Sequence, residues 1–246
     1  MKMTPGSKRF LLLAVIYAST AIGGTPAAKT TIPDPQNYNA RPDFQTIWED
    51  YLATRKGKPC DIIFIGDSIT MNWRWGVGRT VWKKYYAGRS LDFGQSWDKT
   101  QNALWRLENL DIKDFKPKVA VIMIGTNNDH DTPQDIAAGV KAVVEATKAD
   151  FEGVKIILVS ILPNARATQT MADANAIVQG FADNQSIFYL DLASSFTPMG
   201  QSWKGLGVDR LHPTEEGYIM WADALNPLLA KILGTADTGG NGSIHS

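Results

Sequence analysis

Three polar stations in the 246-residue sequence carry side chains that together could break an ester. They are Gly66-Asp67-Ser68, Gly125-Thr126-Asn127-Asn128 and Asp209-Arg210-Leu211-His212-Pro213, and they lie far apart in the chain. A serine hydroxyl is a weak nucleophile until a neighbouring base takes its proton. Histidine is the usual base, because its charge changes near working pH. Of the three histidines, His245 sits near the C-terminus, His130 could line a site, and His212 comes three residues after Asp209. That spacing lets the Asp209 carboxylate reach the imidazole and fix its tautomer, so Ser68, His212 and Asp209 are the candidate catalytic residues. Asn127 offers a side-chain amide to an oxyanion, and the backbone N–H of Ser68 is a second donor. Taken alone, each station is also ordinary turn or capping chemistry. Their co-occurrence, each following an apolar run or a helix-opening loop, points to acyl transfer.

The elements that must position these residues read as an alternation of strands and helices. Apolar runs at Asp61–Ile65, Leu91–Phe93, Val119–Ile124, Val154–Val159 and Ile187–Leu190 predict five strands. Helical spacing is expected over Phe44–Arg55, Thr100–Glu108, Asp135–Phe151, Asp173–Asp183 and Thr214–Leu233. Thr132-Pro133 reads as a cap followed by a first-turn proline. Strands that are apolar throughout and alternate with helices predict a parallel sheet covered on both faces. The expected fold class is therefore α/β, a flavodoxin-like three-layer sandwich with a five-stranded parallel sheet. In such sheets ligands bind beyond the carboxyl ends of the strands, and the polar stations sit there.

Composition excludes several other classes. The formal net charge is zero, with 44% hydrophobic and 20% charged residues, enough apolar material for one sizeable core. No basic surplus exists to neutralise phosphates, so neither nucleic acid nor an anionic membrane surface is an expected partner. The one cysteine, Cys60, rules out an intrachain disulfide and a cysteine-based zinc site, and reads as a small buried hydrophobe. Lys2, Lys8 and Arg9 precede an apolar stretch from Phe10 to Ile22, with small residues at Ala18–Ala21 and Ala27-Ala28. This reads as an export signal over residues 1–28, the alternative being an uncleaved anchor, and implies a secreted or periplasmic protein without stable membrane insertion. Residues 28–42 read as an extended lead-in and residues 235–246 as a flexible tail.

The three stations resemble the blocks of the SGNH (GDSL-type) hydrolase superfamily, in order. Thr100-Gln101-Asn102-Ala103-Leu104-Trp105-Arg106-Leu107-Glu108-Asn109 is similar to the branch typified by the platelet-activating-factor acetylhydrolase catalytic subunits. The resemblance spans about Asp61 to Leu233 and implies a hydrolase domain over residues 29–234. It implies Ser68 as nucleophile, Asn127 as oxyanion donor and Asp209-x-x-His212 as orienter and base, with no metal and no cofactor. It also implies a backbone donor just before Asp98. The family has glycine there and this chain has Trp97, with Gly94 as the fallback donor.

For substrate, Asp67, Asn128, Trp73, Trp75 and Trp97 are the expected binding residues, with Trp203 also placed in a loop near the site. Exposed indoles stack on sugars, and no long insertion is present to shelter a fatty chain. The expected substrate is an acetylated saccharide or another small ester. The alternatives are a lipid acylhydrolase of the same fold and a non-catalytic carbohydrate-binding relative. Oligomeric state is left open.

Overall fold

The computed structural model describes residues 27–35 and 43–234. All but two residues of the expected export signal, and the whole expected tail, lie outside that range. Five strands form one parallel sheet: β1 (Ile62–Gly66), β2 (Ser90–Gly94), β3 (Val119–Met123), β4 (Lys155–Val159) and β5 (Ile187–Leu190). Their spatial order is β2-β1-β3-β4-β5. That order reverses direction between β1 and β3, which opens a crevice at the sheet's carboxyl rim there.

Strands β1 and β3 are buried at every position, as uniformly apolar central strands require, and the edge strand β2 is buried as well although it carries Ser90 and Asp92. Their side chains alternate between two cores. Ile63, Ile65, Phe93, Ile122 and Leu158 face α1 (Phe44–Arg55), α4 (Thr100–Asn109), α5 (Pro133–Asp150) and α6 (Thr168–Gln179). Ile62, Phe64, Val121 and Ile157 face α2 (Ser68–Trp75), α3 (Arg79–Tyr85) and α7 (Glu215–Leu233). The result is the three-layer α/β sandwich that the strand–helix rhythm predicts.

Two helices, α2 and α3, were not legible in the sequence. Each is at most 8 residues long, and Gly76-Val77-Gly78 separates them, so neither gives a window long enough to show a helical period. Trp73 and Trp75 therefore belong to a helix and not to a loop. Helix α6 starts at Thr168, earlier than Asp173, because the buried Asn164 side chain accepts from the backbone N–H groups of Arg166 and Ala167. Trp203 lies in a small antiparallel ribbon of β6 (Pro198–Met199) and β7 (Ser202–Trp203), partly packed on the α7-side core. No helix among the described residues is long and apolar enough to cross a membrane.

Candidate active site

β1 delivers Ser68 to the rim by a forced route. Gly66 ends the strand where a Cβ would lie 2.1 Å from Thr70 Oγ1 and 2.4 Å from the Met123 carbonyl, so the chain turns only because this residue lacks a side chain. Asp67 then caps α2, its carboxylate accepting 2.9 Å from the N–H of Ile69. Ser68 is the first residue of that helix, where unpaired N–H groups and the helix dipole favour negative charge.

The base arrives from 144 residues away: Ser68 Oγ lies 2.8 Å from His212 Nε2. His212 Nδ1 lies 2.7 Å from Asp209 Oδ2, and Asp209 Oδ1 accepts from the backbone N–H of Leu211 and of His212, each at 3.1 Å. Nδ1 therefore carries its proton toward the carboxylate, and Nε2 is left to accept from the serine hydroxyl. Burial works against the Asp209 charge, but the hydrogen bonds from His212 and the two backbone donors outweigh it and hold the carboxyl below its ordinary range. The loop that presents both residues is a tight turn. Arg210 N–H donates to the Gly207 carbonyl, Gly207 N–H donates to the His212 carbonyl, and Arg210 sits at φ +55°.

Asn127 follows β3 through Gly125, whose φ of +123° is accessible to glycine alone. Its Nδ2 donates to the Asp98 carbonyl at 2.9 Å, and its Oδ1 accepts from Arg166 Nη2 at 3.1 Å. The Asn127 amide is thus tied to the β2 exit loop, whose own turn is closed by the Asp98 N–H donating to the Gln95 carbonyl. Trp97 lies within that turn at φ +68°, the left-handed region that the family's glycine would adopt freely. Its side chain is 68% exposed, so the indole faces solvent and is not wedged beneath the loop.

Arg106 of α4 binds these loops together. It is fully buried, and its Nε pairs with the equally buried Asp98 Oδ2 at 2.7 Å. Its Nη2 donates to the Gly66 and Phe93 carbonyls at 3.3 and 3.0 Å, and its guanidinium lies 4.2 Å from the Phe93 ring centroid. One cation therefore fixes the ends of β1 and β2 and the loop that receives Asn127. Sequence reasoning assigned no role to Arg106 or Arg166. A signal for Arg106 did exist: it falls on the apolar stripe of its helix, one turn from Ala103 and Leu110.

Several expected binding residues do not face the site. Trp73 is fully buried among Phe64, Tyr86, Tyr218 and Trp221, because an indole at that position of α2 points down onto the sheet. Asp67 is fully buried beneath Ser68, where loss of solvent pushes its carboxyl up to about 6. Asn128 is fully buried as well. It accepts from the N–H of Thr100 and donates to Gln101 and Asp131, fastening the start of α4. Gly94 cannot serve as a fallback donor, since its N–H donates to Asp92 Oδ1 at 2.9 Å. His130 is exposed on the turn after β3.

Trp75 does remain at the surface, 67% exposed, on the same face of α2 as Ser68 and about 10 Å farther along the helix axis. It borders two grooves. One, of about 770 Å³, runs past Asn72, Val77, Asp209 and His212. The other, of about 710 Å³, runs past Tyr51, Met71, Arg74 and Gln95. The Arg74 guanidinium sits 3.6 Å from the Tyr51 ring centroid and 4.4 Å from that of Trp75, which steadies the exposed indole.

Known proteins resemble this chain over most of its length. The model of the GDSL-like lipase/acylhydrolase family matches residues 64–219. The chain is 27% identical over 225 residues to platelet-activating factor acetylhydrolase IB subunit alpha1 of Bos taurus, covering 89% of this chain and 94% of that one. It is 33% identical over 190 residues to subunit alpha2 of Bos taurus, covering 74% and 82%. The crystal structure of a GDSL-like lipase from Bacteroides thetaiotaomicron superposes with a TM-score of 0.63 at 21% identity, covering 75% of this chain and 97% of that one.

Proposed function

The chain belongs to the GDSL-like lipase/acylhydrolase family and is a carboxylic ester hydrolase, and from that premise we propose that it removes acetyl and similarly short acyl groups from carbohydrate-like alcohols through a serine acyl-enzyme. The observation that carries the chemistry is the unbroken relay from Ser68 Oγ through His212 to Asp209, at 2.8 and 2.7 Å. Ser68 Oγ attacks the carbonyl carbon while His212 Nε2 takes its proton. The resulting oxyanion is met by Asn127 Nδ2 and by the backbone N–H groups of Ser68 and Trp97. His212 returns the proton to the leaving oxygen, and the alcohol departs. Water then attacks the acyl-enzyme, gives a proton to His212, and releases the carboxylic acid and free Ser68.

The leaving alcohol must sit beside the imidazole that protonates it. The groove bordered by Trp75, Val77 and His212 lies there. A flat, exposed indole about two helical turns from the nucleophile suits the apolar face of a sugar ring. The relatives named as acetylhydrolases favour a small acyl group. A second reading has its own support: Val77 and Val208 are also exposed along this groove and would suit a lipid-like alcohol. In both readings the acyl group is short. Rates on p-nitrophenyl acetate through decanoate test that point, and preference for octanoate or decanoate would end it. Acetate release from acetylated xylo-oligosaccharides, set against release from an acetylated ether phospholipid in mixed micelles, separates the two alcohols. Faster release from the phospholipid replaces the first reading with the second. Export of the protein is part of the same proposal, motivated by the basic and apolar start of the sequence; fractionation of a cell that makes the full chain tests it, and retention of the uncleaved chain in the cytosol would refute it.

A further inference from the structure

An asparagine amide helps an oxyanion only when its nitrogen faces the developing charge. Oxygen and nitrogen occupy nearly the same volume, so a flip would exchange a donor for an acceptor. Local structure must set the choice. At Asn127, Oδ1 accepts from Arg166 Nη2 at 3.1 Å and Nδ2 donates to the Asp98 carbonyl at 2.9 Å. Turning the amide over breaks both contacts, because a guanidinium cannot accept and a carbonyl cannot donate.

Arg166 is itself held. The same Nη2 donates to the Thr126 carbonyl at 3.2 Å, and Nε lies 3.4 Å from Asp129 Oδ2. The Arg166 backbone N–H donates to Oδ1 of the buried Asn164 at 3.0 Å. The guanidinium therefore spans the loop after β3 while its backbone is fastened at the loop after β4.

We propose that Arg166 is a positioning residue for the oxyanion site: it pins Asn127 Oδ1 and so commits Nδ2 to the reacting carbonyl oxygen. This inference rests on the esterase reading above. The bond to Oδ1 is charge-assisted, and it draws electron density across the amide so that the N–H opposite becomes a stronger donor. The Asp129 carboxylate, 3.4 Å from Nε, holds the guanidinium from its other side.

The test is a double-mutant cycle on p-nitrophenyl acetate hydrolysis, with Arg166→Gln, Asn127→Ala and the pair. Asn127→Ala should lower kcat by about 10²-fold or more, as a lost oxyanion donor does. Arg166→Gln should lower kcat by about tenfold or more, by analogy with residues that orient catalytic ligands, and leave KM nearly unchanged. In the Asn127→Ala background the Arg166→Gln effect should shrink to less than about twofold, because the group it acts through is gone. Arg166→Lys, which keeps a charge but loses the fork, should fall between Gln and wild type. If Arg166→Gln melts too low to assay, the same cycle is read with Arg166→Lys. Equal losses in both backgrounds overturn the positioning role, and so does a rise in KM at constant kcat. Wild-type activity that survives Ser68→Ala would instead overturn the esterase reading, and the positioning role with it.

Discussion

Arg106→Met should expose how the rim of this sheet is held. The substitution keeps most of the side chain's length but removes the cation from a fully buried pair with Asp98. Asp98 then has no charge partner within the core. Breaking a buried ion pair from one side typically costs about 3–5 kcal/mol, against a total stability of about 5–15 kcal/mol. For a chain of this size each kcal/mol is worth about 2–4 °C, so Tm should fall by roughly 6–20 °C near pH 8. The deficit must depend on pH. Burial pushes the Asp98 carboxyl up to about 7 even with Arg106 beside it, and removing the opposing charge can only push it higher. A carboxyl raised in the folded state binds its proton more tightly there than in the unfolded chain. Its favourable contribution is therefore present at low pH and lost as pH rises through the folded value. The gap between wild type and Arg106→Met should be smallest near pH 5 and widen toward pH 8. Adding Asp98→Asn to Arg106→Met removes the stranded charge and should recover part of the loss at pH 8 but little at pH 5. Thermal melts of the three proteins across that range make the measurement. A deficit that is constant with pH and untouched by Asp98→Asn would refute the reasoning.

Three further outcomes follow from the geometry. Asp209→Asn should slow hydrolysis by less than His212→Ala, because Asp209 is 49% exposed and water can take over part of its orienting role; equal losses in kcat would count against that. Trp97→Gly should be more stable than Trp97→Ala by up to about 1 kcal/mol. Both remove the indole and its contacts, but alanine keeps a left-handed residue costing about 1–2 kcal/mol, offset by the greater freedom of glycine in the unfolded chain, and an equal or lower Tm for the glycine variant would refute the backbone strain. Gly94→Ala should destabilise by about 1–3 kcal/mol and reduce kcat. The new Cβ would sit 2.3 Å from the Met71 backbone nitrogen and push on the helix that begins at Ser68, so wild-type Tm and rate would contradict that close approach.

Much of the fold was legible in the sequence because it rests on local patterns. A run such as Ile62-Ile63-Phe64-Ile65 has no polar face to offer water, so it must become a central strand wherever it lies. Glycine after such a run, then Asp-Ser, or glycine then Thr-Asn, reads as a strand end carrying polar groups to one rim. Asp209 and His212 are separated by one turn of chain, so their pairing needs no long-range information. The helix α5 was visible for the same reason: Thr132 caps it and Pro133 starts it, both as expected. The helices α2 and α3 were missed because short helices take their stability from packing, and that packing is made with distant residues.

Tertiary structure alone decided which polar and aromatic groups are buried. Trp73 and Trp75 are two residues apart on one helix, yet one is fully enclosed and the other 67% exposed, because α2 turns one side to the sheet and the other to solvent. Asp67 and Asn128 read as rim residues from their neighbours, but the chain folds over them and sets them to capping and fastening. Arg106 and Arg166 join loops separated by dozens of residues, and no spacing rule encodes such contacts. Sequence fixes chemistry that is local along the chain. The distances that turn Ser68, Asn127 and His212 into one site arise from the order of strands in the sheet and from the arginines, Arg106 buried and Arg166 at the surface, that tie their ends.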